Sequence, residues 1–236
     1  MPSAPIQVHT WPTPNGHKVH IMLEECALPY EAHAVDIGKG EQFAPGFLAI
    51  SPNNKIPAIT DPEGPDGRPI SLFESGAILL YLAEKTGQFL PGAADRGQML
   101  SWLMFIASGI GPYSGQAVHF RNFAPEPKDY AVNRYTFEAQ RHWGIVDARL
   151  ATHEFMAGSS YSIVDMALWG WSRLVPFVLG PDAMAGYPNV KRHMDMVGAR
   201  PAAARALALK DKHAFKADMD EAARLAMFPH LGKKVA

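Results

Sequence analysis

Thr13, Pro14, Asn15 and Gly16 stand together in the stretch TWPTPNGHKV, directly ahead of residues with helical spacing. Thr13 suits the capping position of a helix, Pro14 its first turn, and Asn15 follows within that turn. A helix start carries unpaired N–H groups and the positive end of the backbone dipole, so it stabilises an anion placed there. If that anion is a thiolate, the same field lowers the thiol pKa, and only the thiolate is a nucleophile. The Thr13 hydroxyl and the Asn15 amide are donors that suit a sulfur. The same residues also make an ordinary helix cap, and spacing alone favours that reading.

Cys26, the single cysteine, is not that sulfur. It lies 11 residues beyond Asn15, which places it about 16 Å up a helix at the usual rise per residue. It shares a stripe with Val19 and Leu23 and is expected to pack as a small buried hydrophobe. Thiol chemistry at this helix start therefore requires a sulfur borrowed from a bound molecule. His17 and His20 are three residues apart, but without acidic or cysteine partners that spacing is not a metal site, and no metal is expected.

The elements that must position these residues follow from hydrophobic periodicity. IQVHT (6–10) and EAHAVDI (31–37) read as strands, with Val19, Met22, Leu23 and Cys26 marking a helix between them. A helix in that position is the usual crossover between parallel strands. PAIT (57–60) and ISLF, separated by the turn-rich DPEGPDGRP, predict a hairpin, and ESGAILLYLAEKTG predicts a helix ending in lysine and glycine. A short helix is expected around 46–50. The first part is thus α/β, βαβ followed by ββα. From about Asp95 strand signals vanish. Val132, Tyr135, Ala139, Trp143, Val146 and Leu150 form a helical stripe, and Ser162 with Asp165 predicts a capped helix start. Two further helical segments follow, separated by Pro201. The expected division is 1–88 for the α/β domain and 95–236 for an all-helical bundle, with a linker at about 88–94. Trp169, Trp171 and Phe177 are expected in the helical core. MFIASGIGPYSGQAVHF is expected to bend at its glycine-proline break.

With 236 residues, 47% of them hydrophobic, and a net charge of -1, the chain has an ordinary globular composition. Near-neutrality argues against a nucleic-acid backbone or an anionic membrane as main partner. No apolar run reaches the roughly 18 residues of a membrane span. A single cysteine rules out an intrachain disulfide framework, so the expected compartment is the cytoplasm.

The βαβ-ββα order, a proline opening the third strand and the helical second half resemble the glutathione transferases, whose first domain is thioredoxin-like. SPNNKIPAI places Ile56-Pro57 where that family has its cis-proline, LFESGAILLYL places Glu74-Ser75 at its γ-glutamyl recognition site, and YSIVDMALW matches its helical-domain capping motif. PTPNGHKV with VDIGKGEQF resembles the bacterial nu-class branch, the glutathione-dependent disulfide-bond oxidoreductases. The resemblance covers roughly 5–210.

It implies glutathione as bound co-substrate, with Thr13 and Asn15 at its sulfur. A cis peptide before Pro57 turns the Ile56 backbone outward, to pair with the peptide-like cysteinyl moiety. Ser75 would receive the γ-glutamyl carboxylate and Glu74 its ammonium. Gln42 and Lys55 would reach the glycyl end, and Arg134 matches an arginine that touches the ligand in the nu-like branch. The implied activity is glutathione-dependent disulfide reduction by a two-fold homodimer. The alternatives are a conventional transferase acting on small electrophiles and a non-catalytic glutathione-binding module.

Overall fold

The computed structural model describes residues 4–126, 128–213, 215 and 220–232. Strand β1 (Ile6–Thr10) buries alternate residues and leads into helix α1 (Pro14–Glu25). Thr13 ends the extended segment at φ -106°, ψ 166°, and its Oγ1 accepts the Gly16 N–H at 3.2 Å, which starts the helix. Gly16 is required by packing. A Cβ there would lie 2.3 Å from the Trp11 carbonyl oxygen and 2.9 Å from Thr10 Oγ1. Strand β2 (Tyr30–Ala34) runs parallel to β1, Ile6 opposite Tyr30 and Thr10 opposite Ala34. It stops short of the expected 37 because Asp36 accepts the Gly38 N–H at 3.0 Å and caps a 3₁₀ turn at Ile37–Lys39.

Helix α2 (Pro45–Leu48) is one turn, with Phe47 packing against Val35 and Ala58. Strand β3 (Ala58–Asp61) pairs antiparallel with β1, and β4 (Ile70–Phe73) antiparallel with β3. The sheet order is β2-β1-β3-β4. Pro57 stays outside β3, having no N–H for the ladder, and the Ile56-Pro57 bond is cis. Helix α3 (Ser75–Thr86) closes the pattern, with Lys85 in its last turn and Gly87 at φ 65° beyond it. This is the thioredoxin-like βαβ-ββα arrangement.

The second unit is helical. It comprises α4 (Arg96–Phe105), α5 (Gly111–Val118), α6 (Asp129–Thr152), α7 (Ile163–Ser172), α8 (Val175–Leu179) and α9 (Pro188–Gly198), and α10 (Pro201–Ala208) begins in it. Where a bend is expected from sequence, two π-helical turns, Ile106–Ile110 and His119–Phe123, flank α5. Gly109 comes so close to α6 that a Cβ would meet the His142 ring at 2.6 Å. Helix α6 packs against α5, α8 and α9. Trp169 and Trp171 are buried, as read from the sequence, but Phe177 is 52% exposed. On short α8 the valines Val175 and Val178 take the inner face and turn Phe177 outward.

The compact units are Met1–Leu82 with Arg205–Ala236, and Ala83–Ala204. The C-terminal stretch, placed by sequence in the 95–236 domain, packs with the first unit. Arg205 donates to the Glu24 carbonyl at 3.1 Å, Phe215 stands edge-on to Trp11 at 4.4 Å, and α11 (Glu221–Met227) packs on the Ile37–Lys39 turn. Of the C-terminal tail, 214, 216–219 and 233–236 lie outside the described residues.

Candidate functional site

Strand register brings the candidate segments of the first unit to one end of the sheet. Ala58 pairs with His9 on one side and Phe73 on the other. The residues just before Ala58 are Ile56-Pro57, those just after Phe73 are Glu74-Ser75, and β1 runs out past His9 toward Thr13 and Asn15. Because β2 is parallel to β1, with Thr10 opposite Ala34, the loop carrying Gln42 leaves from the same end. Segments far apart in sequence, from Thr13 to Ser75, thus share one edge through ladder geometry.

At the α1 start, the Thr13 oxygen is engaged as acceptor by the Gly16 N–H, which leaves its hydroxyl proton to be donated. Thr13 and Asn15 are both half-buried, reachable from solvent. At the α3 start, the Glu74 carbonyl accepts the Ile78 N–H at 2.9 Å, which places Ser75 in the first turn. Glu74 has φ 69°, a left-handed conformation that a non-glycine residue adopts only when its surroundings hold it there. Its side chain is exposed and Ser75 is half-buried.

Gln42 is buried, and its Nε2 donates to the Ala226 carbonyl at 3.3 Å; its Oε1 has no partner among the described residues. Lys55 is exposed, and its carbonyl accepts the Ser51 hydroxyl at 2.8 Å. Arg134 belongs to the helical unit, where it pairs with the buried Glu138 at 2.7 Å, and Arg141 holds the other carboxylate oxygen at 3.0 Å. Cys26 sits at the opposite end of α1 from Thr13, as its C-cap. It is half-buried rather than buried, because the helix ends there and packs less of its surface than the middle turns do.

Sequence reasoning missed Lys18. The residue is 3% exposed, and its Nζ donates to Ser75 Oγ at 3.4 Å, tying the middle of α1 to the start of α3. Burial pushes its ammonium down to about 7, against the opposing pull of Glu74. The signal was present: Lys18 precedes Ile21 by three and Met22 by four, which puts it on a buried stripe. His20 is also buried. Its Nε2 lies 2.8 Å from Thr10 Oγ1, and burial, followed by the fields of His17 and His213, pushes it down to about 3, so it is neutral at physiological pH. Among the described residues, no group of three His, Cys, Asp or Glu is placed to hold a metal ion, and no helix is long and apolar enough to cross a membrane.

In the helical unit, Asp165 is fully buried. It accepts from Met156 N at 2.8 Å, Ser162 N at 2.9 Å, Ser162 Oγ at 3.0 Å and His193 Nε2 at 2.8 Å. This is the capping box of α7, closed on all sides. An open pocket of about 310 Å³ in the same unit is lined by Asp95, Gln98, Arg149, His153, Gly158 and Ser159. It contains none of the residues singled out above.

A four-stranded mixed sheet whose loops converge beside two helix starts, followed by a helical domain, defines a transferase-type architecture of known kind. Residues 13–85 match the glutathione S-transferase N-terminal domain and 114–201 the C-terminal domain. The chain belongs to the glutathione S-transferase family. It is 47% identical over 204 residues to the Disulfide-bond oxidoreductase YfcG of Escherichia coli, which covers 86% of this chain and 94% of that protein. Among solved structures, the glutathione transferase of Burkholderia graminis, with two glutathione molecules bound per subunit, matches with TM-score 0.83 and 44% identity over 89% of this chain and 90% of that one. The glutathione transferase of Pseudomonas putida, with one glutathione disulfide bound per subunit, matches with TM-score 0.81 and 44% identity over 86% and 90%.

Proposed function

We propose that the protein is a glutathione-dependent disulfide-bond oxidoreductase that works through a bound glutathione thiolate. The observation that carries this reading is the shared sheet end, where two helix starts and the Ile56-Pro57 segment meet with no cysteine among them. Glutathione lies with its sulfur at the α1 start, where the Thr13 hydroxyl and Asn15 amide donate to it and the helix dipole favours its ionised form. The Ile56 backbone pairs with the cysteinyl peptide. Ser75 receives the γ-glutamyl carboxylate and Glu74 its ammonium, while Gln42 and Lys55 serve the glycyl end.

The thiolate attacks one sulfur of a substrate disulfide. A mixed disulfide forms, and the other sulfur leaves as a thiolate that takes up a proton. A second glutathione thiolate attacks the glutathione sulfur of the mixed disulfide, releasing oxidised glutathione and the second substrate thiol. The protein supplies binding, orientation and thiolate stabilisation, and no covalent bond to it forms. The reading includes a cytoplasmic two-fold homodimer. Exposed Met104, Tyr130 and Phe137 on α4 and α6 suit a covered surface, and sedimentation velocity should give twice the chain mass.

The test is turnover of 2-hydroxyethyl disulfide with glutathione, run beside a halo-dinitrobenzene conjugation assay. Disulfide turnover should survive Cys26→Ala and collapse in Thr13→Ala and Asn15→Ala. Fast conjugation with no disulfide turnover would replace the reading by a conventional transferase. Neither reaction would leave a binding module.

A further inference from the structure

We infer that Lys18 is a positioning residue for glutathione, holding the α-carboxylate of its γ-glutamyl group through and beneath Ser75. The inference rests on the glutathione site proposed above. A lysine with 3% exposure is uncommon, because an ammonium removed from water must be compensated. Among the described residues, Lys18 has a hydroxyl at 3.4 Å and the field of exposed Glu74 as its compensation. That is thin for a buried cation and suits a group awaiting an anion.

The hydrogen-bond direction supplies the chemistry. An ammonium has only protons to offer, so Ser75 Oγ must accept from it, and the serine proton is then directed elsewhere. Ser75 stands in the first turn of α3, and a helix start leaves N–H groups without intrahelical partners, so that proton and the helix start can serve one anion. In its protonated form Lys18 thereby sets the donor direction of Ser75 and adds positive charge behind it, and an anion bound there favours that form. Glu74, one residue earlier, offers the opposite charge. A γ-glutamyl headgroup carries one carboxylate and one ammonium on the same carbon, so the pair Lys18 and Glu74 matches it charge for charge. The fold thus carries a buried, weakly compensated lysine whose charged form is favoured when an anionic ligand binds.

Calorimetric titration with two ligands tests this. One is S-methylglutathione, whose blocked sulfur removes thiolate effects. The other is the same molecule with the γ-glutamyl α-carboxylate replaced by hydrogen. The wild-type protein should prefer the first by roughly tenfold or more, the scale of a charge-assisted hydrogen bond. Lys18→Met and Lys18→Gln should each erase most of that preference by weakening the first ligand about tenfold while leaving the second unchanged. Removing a buried charge should raise their melting temperatures, so folding is not the obstacle. Equal weakening of both ligands would assign Lys18 a purely structural role, and unchanged preference would leave it no role; either overturns the inference while the glutathione site stands. A wild-type protein that binds both ligands equally overturns it without any variant. One that binds neither overturns the glutathione site itself.

Discussion

Helices α1 and α7 begin alike and end up differently. Each opens on a hydroxyl residue, Thr13 or Ser162, whose oxygen accepts a first-turn N–H, from Gly16 at 3.2 Å and from Val164 at 3.3 Å. At α7 the third residue, Asp165, reaches back to the cap and is itself saturated by four donors in full burial. At α1 the corresponding stretch has no acidic residue, and its cap and Asn15 stay half-buried. One helix start spends its polar capacity internally and holds a domain together. The other stays half-buried at its cap and first turn, where the proposed glutathione sulfur lies. The buried histidines repeat the contrast: His193 faces a carboxylate, whereas His20 faces a hydroxyl and stays neutral.

The sharpest way to break this comparison is Asp165→Ala. It orphans four buried donors and should lower the unfolding free energy by about 4 kcal/mol, read by denaturant titration, while the folded fraction keeps its affinity for glutathione. A loss under about 1 kcal/mol would mean that α7's start is not the structural one. The converse change is Asn15→Ala. It should cut disulfide turnover about 100-fold, the scale of a lost oxyanion-type donor, and shift the unfolding midpoint little.

Gly16→Ala separates packing from capping. Alanine ordinarily favours a helix by about 1 kcal/mol over glycine, but a Cβ 2.3 Å from the Trp11 carbonyl should reverse the sign and destabilise by about 2 kcal/mol in thermal unfolding. The smallest effect tests His20. Its pKa falls from the ordinary 6.5 to about 3 on folding, so between those values the unfolded chain binds more protons. The stability it contributes is fully present above pH 6.5 and is lost as pH falls toward 3, by about 1.4 kcal/mol per pH unit. At pH 5.5 the wild type should therefore have lost about 1.4 kcal/mol more, relative to pH 7.5, than His20→Gln has.

Much of this was legible in the chain itself. Thr13 as cap, the crossover helix, Ile56-Pro57 ahead of its strand and the Ser162–Asp165 box are local patterns, in which the deciding partners lie within a few residues. Lys18 was not legible as a site residue, because its partner, Ser75, is 57 positions away and a lone lysine in a helix usually faces solvent. The return of the C-terminal stretch to Trp11, Glu24 and Gln42 was equally hidden, since α11 carries no sequence mark of where it docks.

Residue order alone determined the elements, the two capped helix starts and the absence of a protein thiol from the first of them, because periodicity, capping and counting are short-range properties. Which of those starts would be fully buried and which left half-buried was a matter for the tertiary structure. Burial and ladder register depend on segments tens of residues apart meeting in space, and that meeting decides whether a polar group spends its hydrogen bonds inside the protein or keeps them for a guest.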